Sequence, residues 1–257
     1  MVLKLLKTQF DVVKALTVRE IQSQQANLVY GYGWVLFDVI LSFTGLLIMK
    51  IAIRAFNVPG LPVITYLVSG LIPWLLFQSA YTAPASAIQR NKRLLSLPGV
   101  TPLDLVLGSS LQILCTYGLL FPVAATVASF YEKASFPRFP LGVILLFICC
   151  WLIGVSFGLV VMTFTRLYAP AGKFVGFFMR FALILSGVVI SIKLFPESMW
   201  PYLAWNPMLH VEELMRVYWF PGYASPIGSP AYVLVCLVSL MCAGLLVERY
   251  VRRRLPA

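Results

Sequence analysis

Charged side chains are scarce in this chain of 257 residues. Only 11% of the residues are Asp, Glu, Lys or Arg, whereas a soluble domain carries about 25%. Hydrophobic residues make up 60% of the chain, and the mean hydropathy is +0.89. This composition excludes an ordinary soluble domain and indicates an integral membrane protein.

Histidine and cysteine, which build most metal sites and disulfide frameworks, are also few. The chain has one His, at position 210, and five Cys that all fall inside apolar runs. Cys149 and Cys150 are adjacent and cannot easily bridge each other, and the Cys and His positions show no metal-ligand spacing. We therefore expect buried, unpaired thiols, no metal site and no cofactor bound by this chain.

Catalytic and nucleotide-binding motifs are missing as well. Residues 154–158 match G-x-S-x-G, but the nucleophile elbow needs a strand–turn–helix that an apolar run does not supply. A hydrolase using Ser156 and His210 is the enzymatic alternative. Residues 170–174 faintly resemble a phosphate-binding loop, but the leading Gly and the Ser or Thr are absent. We expect no enzyme here, and no energy source within the chain.

Long apolar runs dominate what is present. A helix needs about 20 apolar residues to span a bilayer, and six runs qualify: residues 31–53, 63–84, 104–130, 141–165, 174–193 and 231–248. Before them, residues 1–28 carry apolar side chains at helical spacing with mostly basic residues between them, which predicts an amphipathic interfacial helix. The fold expected is one all-α transmembrane domain over residues 1–257.

The distribution of positive charge predicts the orientation. With six spans both termini share one side, and that side holds thirteen of the twenty Lys and Arg. The positive-inside rule then places both termini in the cytoplasm and the segment 194–230 outside. This topology explains the formal net charge of +11 without any nucleic-acid partner.

The cytoplasmic loop expected at residues 85–103 is more apolar than a solvated loop needs. It mixes Arg90, Lys92 and Arg93 with three leucines, and then Thr101 to Asp104 starts the next helix. A solvated loop is one interpretation, and a helix that docks a cytoplasmic partner is the favoured one.

The segment 194–230 is too polar to span and too aromatic for an ordinary loop. It contains three of the six Trp and the only His, a composition typical of a membrane–water interface. Its prolines forbid one long helix, but residues 208–220 remain a plausible short one, with Asn206 as N-cap and Pro207 at the first position. We expect short re-entrant helices before the last span.

Asp38 and Arg180 are ionisable residues within apolar runs, where a charge is costly. Asp38 either has a structural role or lies in a transport path, and Arg19 or Arg180 could pair with it. Arg180 either snorkels to the headgroups or meets an anionic substrate or partner. The sequence leaves both alternatives open.

Pairs of glycines four residues apart predict close helix packing at two places. Gly154 and Gly158 lie in the fourth run, and Gly172 and Gly176 open the fifth. Small residues at this spacing let helix backbones approach each other.

The run from Leu203 to Arg216, followed by Pro221–Tyr223, is similar to a known family: the inner-membrane permeases of type-2 ABC exporters, in the branch that exports capsular polysaccharide (KpsM-type). Supporting matches are residues 18–21, 31–34 and 70–73, and the acid at Asp38. The likeness extends along essentially the whole chain.

The resemblance implies a homodimer of permeases bound to two copies of a separate ATPase, which holds the ATP and magnesium. The substrate would be a lipid-linked acidic glycan, and the path would lie at the dimer interface, lined mainly by spans one and five. A periplasmic copolymerase or adaptor and an outer-membrane export protein would complete the system. Export of O-antigen, teichoic acid or a small molecule is the alternative.

The resemblance also suggests roles for individual residues. The substrate path would include Tyr32, Trp34, Asp38, Arg180, Lys193, Trp200, Trp205 and Trp219. ATPase coupling would use Arg19, Arg90, Lys92, Arg93 and Leu94. The external gate would contain Asn206, His210, Glu213, Arg216 and Tyr223. The tryptophans could stack on sugar rings or only anchor the chain in the interface.

Overall fold

The computed structural model describes residues 2–25, 32–52, 60–96, 99–168 and 170–254. All regular structure within these ranges is helical. The α-helices are, in chain order, α1 Val2–Gln25, α2 Tyr32–Ala52, α3 Val63–Arg90, α4 Pro102–Glu132, α5 Pro140–Leu167, α6 Ala171–Leu185, α7 Trp200–Leu203, α8 Pro207–Trp219 and α9 Pro230–Arg254. Short 3₁₀ helices cover Lys92–Ser96, Ile192–Leu194 and Glu197–Met199.

Five helices are long and apolar enough to cross a membrane. They are α2, α3, α4, α5 and α9, and each coincides with a predicted span. The all-α membrane fold is therefore confirmed, and α3 and α5 are the most buried of the five.

The prediction of one continuous helix over residues 174–193 is wrong. Helix α6 has 15 residues and ends at Leu185, which gives a length of about 22 Å against a hydrocarbon core of about 30 Å. The chain then turns through Gly187, whose φ of +84° lies in the left-handed region that only glycine adopts easily. Because the residues after this turn are apolar too, the hydropathy stays high and does not indicate where the helix ends.

Helix α3 is the centre of the bundle and contacts α2, α4, α5 and α8. Gly154 on α5 permits a close approach to α3, because a Cβ at this position would lie 2.8 Å from Ala80 Cβ and 2.9 Å from the Phe77 carbonyl oxygen. Gly158, one turn further, faces the Tyr81 backbone in the same way. The predicted close packing is confirmed for this pair, whereas Gly176 on α6 has no atom within 4 Å of an added Cβ in the part of the chain that the structure describes.

Two side chains of α5 bond to neighbouring helices. The buried Cys150 thiol donates to the Pro73 carbonyl at 3.0 Å, and the Trp151 indole N–H donates to the Ser110 carbonyl at 2.8 Å. These bonds connect α5 to α3 and to α4.

Carboxylates cap the ends of α3 and α4. Asp104 and Thr101 form a capping box at the start of α4, where the sequence predicted that a helix begins. At the other end of α4, Glu132 accepts hydrogen bonds from the backbone N–H groups of Ile64 and Thr65, both at 2.8 Å. Glu132 therefore satisfies two otherwise unpaired donors at the start of α3.

The loop expected at residues 85–103 is shorter than predicted. Helix α3 continues to Arg90 and only then gives way to the 3₁₀ helix Lys92–Ser96. The apolar run ends at residue 84, but the helix continues for six more residues. The fall in hydropathy and the basic residues that follow therefore placed the loop too early.

Helix α8 has the start that the sequence predicted. Asn206 Oδ1 accepts the N–H of Met208 at 3.0 Å, and Pro207 is the first helical residue. The helix packs against α3, α5 and α9, and most of its residues are buried.

Candidate functional site

A buried polar cluster lies where α8 meets α3. Arg216 Nη1 donates to Glu213 Oε1 at 2.9 Å, with both side chains fully buried. The Tyr223 hydroxyl donates to the other Glu213 oxygen at 2.9 Å. Burial and the Glu213 carboxylate both raise the pKa of Tyr223 above its ordinary value, so the phenol keeps the proton that it donates. Three of the five residues assigned to the external gate thus form one network.

This network stabilises the turn that follows α6. Arg216 Nη2 donates to the Gly187 carbonyl at 2.6 Å, and the Tyr66 hydroxyl donates to the same oxygen at 3.3 Å. The Arg216 guanidinium also lies over the Tyr66 ring, 4.0 Å from its centroid. Arg216 therefore joins α8, α3 and the end of α6 in one contact set.

Glu212, next to this network, is buried without a hydrogen-bond partner among the described residues. Burial raises its pKa well above the ordinary value; the Arg216 charge opposes this shift and the Glu213 charge adds to it. Burial without a hydrogen-bond partner favours the protonated, neutral form of this carboxyl.

His210 connects the ends of two helices. Its Nε2 lies 2.8 Å from the Ala204 carbonyl oxygen, and its Nδ1 accepts the N–H of Ser229 at 3.3 Å. The neutral tautomer with the proton on Nε2 satisfies both contacts. His210 is buried, and Ser156 lies in α5 with no described contact to it, so the structure does not assemble the hydrolase pair.

The three tryptophans of the segment 194–230 lie in different environments. Trp219 is fully buried, and its ring packs edge-on to Phe121 at 5.8 Å, which is the environment of a core residue rather than of a sliding surface. Trp205 is 84% exposed. The Trp200 indole N–H donates to the carbonyls of Ile192 and Phe195, so only its ring faces remain for a ligand.

Lys193 and Trp200 line one open cavity of about 450 Å³, together with Glu197. The Lys193 ammonium lies over the Tyr223 ring at 4.0 Å from the centroid. This cavity therefore borders the buried network through Tyr223 and combines an aromatic ring with charges of both signs.

At the opposite end of the bundle, α1 is held against α3 and α4. Gln9 donates to Asp104 Oδ1 at 2.9 Å, and Arg19 donates to Asn91 Oδ1 at 3.1 Å. Arg90 pairs with Glu20 at 3.3 Å. We call these three contacts the α1 clasp. Arg19 and Arg90, two predicted coupling residues, are therefore used within the chain.

The remaining coupling candidates lie beside the clasp. Lys92 and Arg93 are exposed and Leu94 is half-buried, all on the 3₁₀ helix Lys92–Ser96. The clasp and this short helix together form one surface at the α1 end of the molecule.

Arg180 lies on α6 and lines a cavity of about 360 Å³ between α6 and α3. Gln78 and Tyr81 reach this cavity, and the buried Trp74 contributes to it. Neither Arg180 nor Asp38 forms an ion pair within the described part of the chain, so the pairing between them considered from the sequence is not observed.

The path residues on α2 lie on its open side. Asp38 and Trp34 are exposed, and the Trp34 ring lies 5.7 Å from Phe37. Tyr32 begins the helix, but its side chain is outside the described part. Helices α2 and α6 are poorly covered by the rest of the chain.

Sequence reasoning missed several residues of these sites. No motif marks Gly187, Tyr66, Gln78 or Tyr81. Lys50 is buried, with its ammonium 4.3 Å from the centroid of the Tyr66 ring. Only the positions of Gln78 and Lys50 in or beside apolar runs hinted at a role, since polar groups there need partners.

Residues 11–220 match the family of ABC-2 type transporters, and the chain belongs to that family of membrane permeases. Along nearly its whole length it is similar to inner-membrane proteins of capsule export. It is 27% identical to the polysialic acid transport protein KpsM of Escherichia coli over 92% of both chains. It is 23% identical to the capsule polysaccharide export inner-membrane protein CtrC of Neisseria meningitidis serogroup A, over 95% of this chain and 92% of that one. The protein BexB of Haemophilus influenzae, with the same description, is 21% identical over 95% and 92%.

Proposed function

We propose that this chain is the membrane-spanning subunit of an ATP-driven exporter that moves lipid-linked capsule polysaccharide out of the cytoplasm across the inner membrane. The observation that carries the proposal is the similarity to capsule-export proteins over more than nine-tenths of this chain. A likeness of this extent is not confined to one helix or one short motif.

A separate ATPase supplies the energy in this proposal. The chain has no phosphate-binding loop, so ATP and magnesium bind the partner, in two copies per transporter. The α1 clasp and the exposed Lys92 and Arg93 support a docking surface at the α1 end. A rigid contact there would carry domain movements of the ATPase into α3 and α4.

Two copies of this chain form the transporter, with the polysaccharide path between them. Helix α6 has no buried residue in the single chain, and α2 exposes the large apolar side chains of Phe37, Ile40 and Leu41. A second copy facing these helices would line the path with Asp38 and Arg180. A periplasmic adaptor and an outer-membrane export protein receive the polymer beyond the membrane.

The orientation follows the charge distribution, with α6 and the turn through Gly187 counted together as the sixth crossing, because Gly187 bonds to Tyr66 near the start of α3. Both termini and the α1 end lie in the cytoplasm, and α8 with the Arg216 network lies at the external mouth. In this orientation Trp200, Trp205 and Lys193 face the side from which the polymer leaves.

Deletion of the gene in a capsulated host tests the proposal. We expect surface capsule to disappear and the same glycan to accumulate inside the cell, with recovery when the wild-type gene is returned. Unchanged surface capsule, with loss of another envelope polymer such as O-antigen or teichoic acid, would contradict it and favour the alternative cargo.

A further inference from the structure

Three polar side chains without partners converge on the cavity between α3 and α6. Arg180, Gln78 and Tyr81 all line it. Within the described residues no side-chain hydrogen bond or ion pair involves the Arg180 guanidinium, the Gln78 amide or the Tyr81 hydroxyl. Elsewhere in the bundle the polar groups of α3 are bonded, as the side chains of Thr65, Ser69 and Ser79 show.

Arg180 and Gln78 both lie far from the end of the bundle at which α6 begins and α3 ends. Arg180 is nine residues beyond Ala171, about 14 Å along the axis of α6, and Gln78 is twelve residues before Arg90, about 18 Å along α3. A charged or amide group at such depth is costly unless it meets protein, water or a ligand. Lipid phosphates lie at the bilayer surface, so snorkelling of Arg180 alone does not explain why Gln78 and Tyr81 face the same space.

The chemistry of the cavity fits an acidic sugar. A guanidinium presents parallel N–H donors that match a carboxylate, while an amide and a phenol both donate to and accept from ring hydroxyls. Trp74 and Tyr81 add aromatic surface. The volume of about 360 Å³ is at the small end of the roughly 300–1,000 Å³ typical of ligand sites, which suits one sugar unit at a time.

We propose that Arg180, Gln78 and Tyr81 form a subsite that binds one carboxylate-bearing sugar unit of the exported polymer. Arg180 holds the carboxylate, and Gln78 and Tyr81 hold hydroxyl groups. This subsite rests on the proposed function, and it extends that function by assigning the preference for acidic glycan to the face of α3 that meets α6.

Calorimetric titration of the full-length chain in phosphatidylcholine nanodiscs tests the subsite. The probes are an oligosaccharide of sialic acid, an oligosaccharide containing glucuronic acid, and the methyl ester of each. We expect at least one of the two acids to bind and its ester to bind about tenfold more weakly.

Substitutions in the subsite should weaken binding of the acid but not binding of its ester. We expect Arg180→Gln to weaken binding of the acid about tenfold, and Gln78→Leu and Tyr81→Phe to weaken it about threefold each. Arg166→Gln, which removes an exposed charge at the end of α5, is the matched control and should leave binding within about twofold. Equal unfolding temperatures of all variants show that the fold is intact.

Three results would overturn the subsite. The first is that neither acid binds the wild-type chain better than its ester. The second is that Arg180→Gln and Arg166→Gln have equal effects. The third is that phosphatidylglycerol in the nanodisc abolishes binding of the acid, which would identify a lipid headgroup as the occupant.

Failure of the proposed function would be recognised separately. If deletion of the gene leaves surface capsule intact, the export function is wrong whatever the chain binds. If deletion removes the capsule but Arg180→Gln exports acidic glycan at the wild-type rate, the function stands and the subsite does not.

Discussion

Arg216 connects α8 to the rest of the bundle. Its guanidinium is fully buried and contacts Glu213, the Gly187 carbonyl and the Tyr66 ring. Burying a charge costs several kcal/mol unless hydrogen bonds and an opposite charge offset the cost. Here both are present, so removing the arginine would leave Glu213 buried without its ion-pair partner.

We expect Arg216→Met to destabilise the chain by about 3–5 kcal/mol, because it breaks a buried pair and leaves one partner unpaired. Thermal unfolding of the purified protein in detergent measures the effect. Arg166→Met is the control, since Arg166 is exposed. Equal unfolding temperatures for both variants would show that the Arg216 network contributes little to stability.

Glu212 predicts a dependence of stability on pH. Its pKa is raised in the folded chain, so the folded state keeps a proton that the unfolded state releases above about pH 4.5. Stability from this group is therefore full at low pH and is lost as the pH rises, at about 1.4 kcal/mol per pH unit until the folded-state pKa is reached.

Glu212→Gln cannot ionise and should lack this loss. We expect the unfolding temperature of the variant to rise relative to the wild type between pH 5 and pH 8, measured in the same detergent. A difference that stays constant over this range would mean that Glu212 does not carry a raised pKa in the folded chain.

At this scale, local contacts were predictable from the sequence and distant ones were not. Asn206 caps α8 and Thr101 with Asp104 caps α4, because these bonds join residues two or three positions apart. The bond from Arg216 to Gly187 spans 29 positions and depends on how α8 packs against α3. No spacing in the sequence encodes it.

At the scale of helices, the α1 clasp gives the molecule a firm surface at one end. Three side-chain contacts hold α1, and Gly108 on α4 allows close packing, since an added Cβ would lie 3.0 Å from Leu16 Cβ. The side chains of the adjoining Lys92 and Arg93 make no hydrogen bond or ion pair in the described part of the chain, and both residues are exposed. They are the side chains best placed to meet an ATPase.

Reversing the charge at this surface should uncouple the ATPase. We expect Lys92→Glu with Arg93→Glu to insert and fold normally but to lose substrate-stimulated ATP hydrolysis in the reconstituted complex. The control is Lys133→Glu with Arg138→Glu, which changes the charge equally at the opposite end of the bundle. Normal export by the first double variant would contradict the assignment of Lys92–Ser96 to coupling.

Close packing between α3 and α5 predicts that alanine is tolerated at some glycine positions and not at others. Gly158→Ala would press a methyl group into the Tyr81 backbone, whereas Gly118→Ala on α4 meets no atom within 4 Å in the described structure. We expect the first to destabilise the chain by about 1–3 kcal/mol and the second to be neutral or slightly stabilising. Unfolding temperatures in detergent decide between this result and equal effects, which would argue against close α3–α5 contact.

Hydropathy located the five long helices because the bilayer sets their length. It failed at α6, where Gly187 turns the chain and buried Val188 and Val189 continue the apolar run. Hydropathy responds to burial in protein and in lipid alike, so it could not tell a spanning helix from a short helix followed by a packed turn.

At the scale of the whole molecule, polarity is unevenly distributed between the covered and uncovered sides. The covered side holds a well-packed core around α3 and α5. The uncovered helices α2 and α6 carry Asp38 and Arg180, which form no ion pair in the described chain. In the proposed dimer, two such surfaces face each other and form the path for an acidic polymer, with the Arg216 network at its exit.

Transport in a purified system tests this account most directly. The chain would be reconstituted in vesicles with its ATPase, facing outward at the α1 end, and supplied with lipid-linked acidic glycan on the outside. The account predicts that ATP makes the glycan appear inside the vesicles, where an added glycosidase cannot reach it, and that Arg180→Gln slows this step. Glycan that stays fully accessible to the glycosidase, with ATP hydrolysis proceeding, would contradict it.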